Sequence, residues 1–259
     1  MKNLLKNFIT PFKKPLEFIF TIESRFTRAW TQNAHKRLMK AKWSIGENPE
    51  WFDHTLDNFY QWPVTGNSLW LERGVFANAS LKRGGKVLEL CCGDGFNAAN
   101  FYSHLAKDVT ACDFDLSAIK SAKTNWQRFN INYLVADIRT QMPKGKFDNI
   151  TWDAAIEHFT EEEISKLMND IKERLTEDGV LSGYTLVERE DGEKHIHQHE
   201  YEFKSKEDLM RFLKPHFSNV VTFETIFPSR HNLYFWASDE KSKIPFSSSW
   251  ESMCIHLSE

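Results

Sequence analysis

The run Val87-Leu88-Glu89-Leu90-Cys91-Cys92-Gly93-Asp94-Gly95-Phe96 carries the densest chemical information in this 259-residue chain. Apolar residues lead into a carboxylate, Glu89, and then into a glycine turn. A helix is expected over 97–105, directly after the turn. Gly93 and Gly95 let a ligand approach the backbone closely. The helix N-terminus presents free N–H groups to an anion, while Glu89 can face a cation. Such a site suits a ligand that carries both charges.

Histidines supply the candidate acid–base groups. His158, in the pair Glu157-His158, is a suitable base near neutral pH; a residue there can equally do no more than shape the pocket. The second group is His195-Ile196-His197-Gln198-His199. The sequence predicts an extended segment over 195–203, where residues two apart face the same way and three imidazoles share one side. That stripe could ligate a metal, hold one base and two substrate contacts, or be a polar face on an exposed loop. No metal is expected, because no acid or Cys is spaced as an obvious fourth ligand. His158 and His199 are the preferred catalytic residues, with His195 and His197 as substrate contacts. Arg189, Lys194, Arg230 and His231 could form a cationic rim, of which Arg230 is the chosen acceptor contact; scattered solvated charge is the simpler account. Trp51, Trp62 and Trp70, with His54, could form a lid, and Trp62 is expected against the acceptor, since aromatic rings stack on sugars and rings. A hydrophobic cover over a sheet explains them equally well.

The elements that must position these groups alternate. Strands are expected at 86–90, 108–112, 132–136, 148–152 and 180–187, with helices at 97–105, 117–128 and 161–175. This is the pattern of a parallel sheet with helices on both faces. Two further strands, 220–226 and 232–237, read as a hairpin, so the last strand should run antiparallel. A helix over about 205–213 precedes them. Upstream, helices are expected at 24–45 and 68–79, separated by an irregular aromatic stretch. Three regions result: a helical, aromatic N-terminal extension (1–79), an α/β domain (80–238) with a doubly wound, mostly parallel seven-stranded sheet, and a polar, loosely attached tail (239–259).

Composition narrows the function. At 41% apolar and 27% charged residues the chain can build a sizeable core. A formal charge of −3 argues against a surface dominated by phosphate contacts, so no nucleic-acid partner is expected. Four Cys without a CxxC spacing suit a reduced, cytoplasmic chain. The first 23 residues open like a signal peptide, but Pro11, Lys13, Lys14, Pro15 and Glu17 interrupt the apolar run and no small-residue cleavage site follows. Their mix of Lys, Phe and Ile suits peripheral contact with an anionic membrane. It suits docking on the protein's own core, or on the second copy of a homodimer, equally well.

The chain resembles the class I S-adenosylmethionine-dependent methyltransferases over roughly residues 84–238. Glu89-Leu90-Cys91-Cys92-Gly93-Asp94-Gly95 looks like the family's first motif, acid-x-Gly-x-Gly-x-Gly, with Cys91 in place of the first glycine. The resemblance implies a Rossmann-like fold and S-adenosylmethionine as cofactor, whose ammonium, carboxylate and sulfonium match the charges inferred above. It implies that Asp113 accepts from ribose hydroxyls, that Phe114 lies against the adenine, and that Asp137-Ile138 meets the adenine edge. The segment 147–159 is similar to the family's fourth-strand motif, with Asp153 at its usual polar position. Glu89, Cys91, Gly93 and Gly95 complete the implied cofactor set. Gly93-x-Gly95-x-x-Ala98 also fits the relaxed nicotinamide-dinucleotide fingerprint; the carboxylate at Glu89 and the later motifs favour methyl transfer. The expected reaction is O-methylation of a small-molecule or glycan-type acceptor with a histidine base. N- or C-methylation is the nearest alternative, and a non-catalytic cofactor-binding scaffold stays open because fold does not fix function.

Overall fold

Strands built from continuous apolar runs need cover on both faces, and β1 (Lys86–Leu90) has it: Val87, Leu88 and Leu90 are wholly buried. In the computed structural model the described residues are 12–45, 49–57, 69–227 and 230–245, with the backbone alone at 69 and 70. Trp62 and the Trp70 side chain, both expected in a lid, lie outside these residues. So do 1–11 of the membrane candidate and the tail beyond 245.

Six strands join β1: β2 (Asp108–Asp113), β3 (Ile131–Val135), β4 (Phe147–Asp153), β5 (Leu175–Leu186), β6 (Asn219–Phe227) and β7 (Arg230–Ser238). They form one sheet in the order β3-β2-β1-β4-β5-β7-β6. The first five pair in parallel, and β7 runs antiparallel to both neighbours, as the sequence predicts. β5 begins five residues earlier than the expected 180. Phe147 pairs with Leu175 but Asn149 with Val180, so residues 176–179 bulge out of the ladder.

Helices cover both faces. On one, α5 (Glu161–Arg174) and α6 (Lys206–Leu213) bury Ile164, Met168, Leu209 and Phe212 against Leu88, Leu90 and Trp152. α5 starts at a capping box in which Thr160 and Glu163 satisfy each other's backbone N–H. On the other face lie α4 (Leu116–Asn125) and the helical segment α3, made of the π-type turn Ala98–Tyr102 and the α-turn Ser103–Leu105. α2 (Leu69–Ser80), placed in the N-terminal extension by its sequence position, packs on the sheet: Trp236 Nε1 donates to the Phe76 carbonyl at 3.0 Å, and the Phe76 ring meets Phe223 and Tyr234 edge-on. Ile244 is buried beside Val180 and Trp236, which anchors the chain past the last strand.

The chain falls into two units: residues 1–49 with 55–66, and residues 50–54 with 67–259. The first contains α1 (Lys13–Ser44), and Lys42 near its end pairs with the buried carboxylate of Asp57 at 3.1 Å. α1 exposes Leu16, Ile19, Phe26 and Trp30 at helical spacing, with Phe18, Phe20 and Ile22 exposed beside this stripe. Among the described residues no helix is long and apolar enough to cross a membrane.

Candidate active site

In an open α/β sheet a crevice forms beyond the carboxyl ends of the strands where the strand order reverses. Here that point is β1/β4. The turn after β1 needs left-handed backbone at Gly93 (φ 52°) and Gly95 (φ 79°). Cys91, the residue standing where glycine usually does, adopts φ 55°, and Ala154 at the end of β4 adopts φ 54°. Strain of this kind concentrates at functional sites. Gly95 also permits a close approach, since a Cβ there would lie 2.6 Å from the Tyr133 ring.

Asp113 at the tip of β2 is buried and braces this turn. Its Oδ2 accepts from Gly93 N and its Oδ1 from Asp115 N, each at 2.9 Å. Burial raises its pKa, and these two bonds pull against that. Asp94 does a different job. Its carboxylate accepts from His54 N and His54 Nδ1, both at 2.8 Å, and from Phe96 N at 3.2 Å. The His54 ring stacks on Phe96 at 4.5 Å, and Trp51 Nε1 donates to Ser117 Oγ at 3.1 Å. Residues 51–54 are thereby strapped across the glycine turn, so two members of the expected aromatic lid sit at the crevice.

Beneath lies a polar core. Asp153 is held by Arg73 Nε at 3.2 Å and Asn97 Nδ2 at 2.8 Å. Both partners hold the same oxygen, Oδ2. Glu89 is buried too, and its Oε2 has no partner. Burial first, then Asp153 and Asp94, push its carboxyl well above the ordinary range, with Arg73 opposing.

At the crevice rim Phe114 is exposed, and Asp137 is half-buried with its Oδ1 accepting from Arg139 N at 3.0 Å. The Ile138 side chain packs in the main core, 3% exposed.

The histidines come together differently from expectation. Segment 195–203 is not extended but a series of turns, so its imidazoles do not share a face. The Glu202 carboxylate organises it, accepting from His195 N at 2.7 Å, from His195 Nδ1 at 2.9 Å and from His199 Nδ1. Burial raises Glu202, but these imidazole bonds outweigh it and hold its pKa low. His197 is exposed and takes no part. Glu200 N and Tyr201 N donate to the Glu157 carbonyl, at 2.8 and 3.1 Å, fixing the turns against the end of β4. The His199 ring then stands edge-on to His158 at 4.8 Å, and its Nε2 is 4.0 Å from Glu157 Oε1. Glu157 Oε2 accepts from Thr185 Oγ1 at 2.9 Å. Burial raises Glu157, with His199 opposing, and lowers both His158 and His199. Arg230 Nε donates to the Tyr184 hydroxyl at 3.0 Å, and its charge helps to hold Glu157 down.

Comparison with known proteins agrees with this anatomy. Residues 87–179 match the family model for a methyltransferase domain. Uncharacterized methyltransferases of Mycobacterium bovis and Mycobacterium tuberculosis are 32% identical over 102 residues, 39% of this chain and 50% of theirs. The chain thus spans about half the length of the curated relatives it matches. Among solved structures, the DhpI–SAH complex aligns with TM-score 0.52 at 16% identity, over 81% of this chain and 97% of that one. The N-methyltransferase NodS from Bradyrhizobium japonicum aligns with TM-score 0.55 at 18% identity, over 68% and 100%. Residues 87–179 thus match a methyltransferase domain in sequence, and the chain shares its fold with these solved structures.

The residues of this site fit S-adenosylmethionine. The unpartnered Glu89 oxygen can meet a cation, and each Asp113 oxygen keeps a lone pair after its backbone bond. Gly93 leaves open space where a Cβ would meet only Trp51, at 3.8 Å. Five residues escaped the sequence reading as site members: Arg73, Asp94, Asn97, Glu157 and Glu202. Glu157 carried a signal in its place beside His158.

Proposed function

We propose that this chain transfers the methyl group of S-adenosylmethionine to an oxygen of a small-molecule or glycan-type acceptor. The observation that carries the reading is the pair His158 and His199 just beyond β4, held neutral by burial, with Glu202 fixing His199. Methyl transfer from a sulfonium is an in-line displacement that needs proximity and, for a hydroxyl, removal of its proton. The cofactor supplies the electrophilic methyl group. Gly93, Asp113, Phe114 and Asp137 hold and orient it, and residues 51–54 keep water away. His158 and His199 offer the lone pairs that activate the acceptor, and Arg230 binds an anionic acceptor group.

α1 supports a location for this chemistry. It carries eight Lys or Arg residues against two Glu, beside its exposed aromatic stripe. That combination favours peripheral binding to an anionic membrane at its cytoplasmic face, where lipid-linked saccharides are within reach.

The test is radiolabelled-methyl transfer to fractionated cell extract, alongside titration with S-adenosylhomocysteine and NADH. Label on an oxygen supports the reading. Label on nitrogen or carbon replaces it with N- or C-methylation, and binding without labelled product turns it into a scaffold. Tight NADH binding in place of S-adenosylhomocysteine overturns it.

A further inference from the structure

We infer that Glu157, His158 and His199 form a binding site for one divalent first-row transition ion, Zn(II) being the best match. Each residue offers one ligand atom, and these atoms lie within 4.8 Å of one another. The inference rests on the reading of this cluster as the acceptor-activating group, and assigns its lone pairs to an ion instead of a proton.

Three observations support it. First, the arrangement leaves a gap. His199 Nε2 and Glu157 Oε1 face each other at 4.0 Å, too far for a hydrogen bond between them. In a tetrahedral site two donors at about 2.1 Å from one ion stand about 3.4 Å apart. The 4.0 Å pair closes by about half an ångström, and the widest pair, within 4.8 Å, by at most about 1.4 Å, which side-chain rotation supplies.

Second, the outer partners are in place. A ligating imidazole nearly always donates its other N–H to a carboxylate or carbonyl, which fixes its tautomer and its aim. His199 Nδ1 is held by Glu202, leaving the Nε2 lone pair directed at Glu157. His158 hydrogen bonds to the Gln198 backbone. Glu157 Oε2 is tied to Thr185, which frees Oε1.

Third, the donor set chooses the ion. Two imidazoles and one carboxylate favour borderline transition metals over Mg(II) or Ca(II), which prefer all-oxygen shells. Three protein ligands leave a fourth position open. His158 is half-buried whereas Glu157 and His199 are buried, so that position opens on the His158 side. The absent fourth protein ligand, which argued against a metal in the sequence, is thus the vacancy an acceptor oxygen requires. A hydroxyl there loses its proton to water. Its oxygen lone pair then forms the O–C bond as the C–S bond breaks, and the sulfonium leaves as a neutral thioether.

The test uses the full chain, stripped with chelator and titrated with Zn(II), with Co(II) as the visible-absorption probe. The expected result is one equivalent per chain with a tetrahedral Co(II) spectrum. Binding should disappear in His158→Ala and His199→Ala and weaken about 10–100-fold in Glu202→Gln, which loses only the outer partner. His197→Ala should bind like the parent. S-adenosylhomocysteine titration of every variant checks folding, and His158→Ala, at the half-buried position, is the variant to trust if His199→Ala does not fold. Equal binding in parent and His158→Ala means an adventitious ion only and overturns the inference, as does absence of binding in the parent. A parent that binds the ion but not S-adenosylhomocysteine refutes the methyltransferase reading and leaves the ion site standing.

Discussion

Gly95→Ala is the substitution for which the structure supplies the most complete arithmetic. A Cβ at this position would lie 2.6 Å from Tyr133 Cε1 and 2.7 Å from its hydroxyl. Unbonded carbons sit at about 3.5–4.0 Å, so the ring must retreat by roughly 1 Å. Tyr133 is 2% exposed and has nowhere to go. Its hydroxyl reaches the carbonyls of Gly95 and Trp126, both at 3.2 Å, and retreat weakens both bonds. Overpacking of this kind costs about 1–3 kcal/mol. The φ of 79° costs an alanine about 1–2 kcal/mol more. The total of about 2–5 kcal/mol is a large share of the ~5–15 kcal/mol that a folded domain has in hand. Gly84→Ala is the matched control. Its φ is 70°, yet nothing lies within 4 Å of its Cβ, so it bears the backbone term alone. Urea unfolding of the two variants beside the parent isolates the steric term as their difference. If Gly95→Ala is no less stable than Gly84→Ala, the contact between the glycine turn and Tyr133 is not what the structure says it is.

Three further outcomes follow from charge and burial. Glu89 has a raised carboxyl pKa, so its ionisation weighs against the folded state as pH climbs above the ordinary glutamate value; Glu89→Gln should be more stable than the parent at pH 7 and equal to it below about pH 4. A stability gap that does not vary between those pH values would contradict this, as would unchanged S-adenosylhomocysteine affinity. His158 and His199 have lowered pKa values, so both stay neutral below the ordinary histidine range and turnover should hold as pH falls through about 6.5; a rate that halves at that pH places an unperturbed histidine in the mechanism. Phe26→Glu with Trp30→Glu in α1 should abolish co-sedimentation with anionic vesicles that the parent shows at low salt and loses at high salt. Failure of the parent to sediment, with a concentration-dependent dimer on gel filtration, would assign the stripe to a second copy.

The strands of the parallel half were legible because burial on both faces writes them as short apolar runs, and the acids at their tips stood out against that background. Asp113 and His158 fell at strand ends in the strand–helix alternation, and the role of Asp113 came from the resemblance of the surrounding motifs. The histidine stripe could not be placed that way. Period two describes 195–199 on paper, but Glu202 captures both His195 and His199, and one carboxylate reaching positions three and seven residues back requires turns. Arg73 and Asp153 were beyond reach for another reason: their pairing joins a helix to a strand end 80 residues later, with nothing local to signal it. Asp94 was hidden by its own motif, where it fills a variable place between two glycines while holding a segment 40 residues upstream.

The register of the sheet has a kinetic corollary. Phe227 pairs with Arg230 across two intervening positions, while Val87 pairs with Asn149, and each doubling of the span to be closed adds about 0.6 kcal/mol of chain entropy. The C-terminal ribbon is therefore expected to acquire protection from solvent exchange earliest in refolding, and the β1–β4 seam last. Pulse-labelling during refolding would show the order, and a seam protected before the ribbon would reverse it. A newly made chain would then present a nearly finished edge well before it could grip a nucleoside.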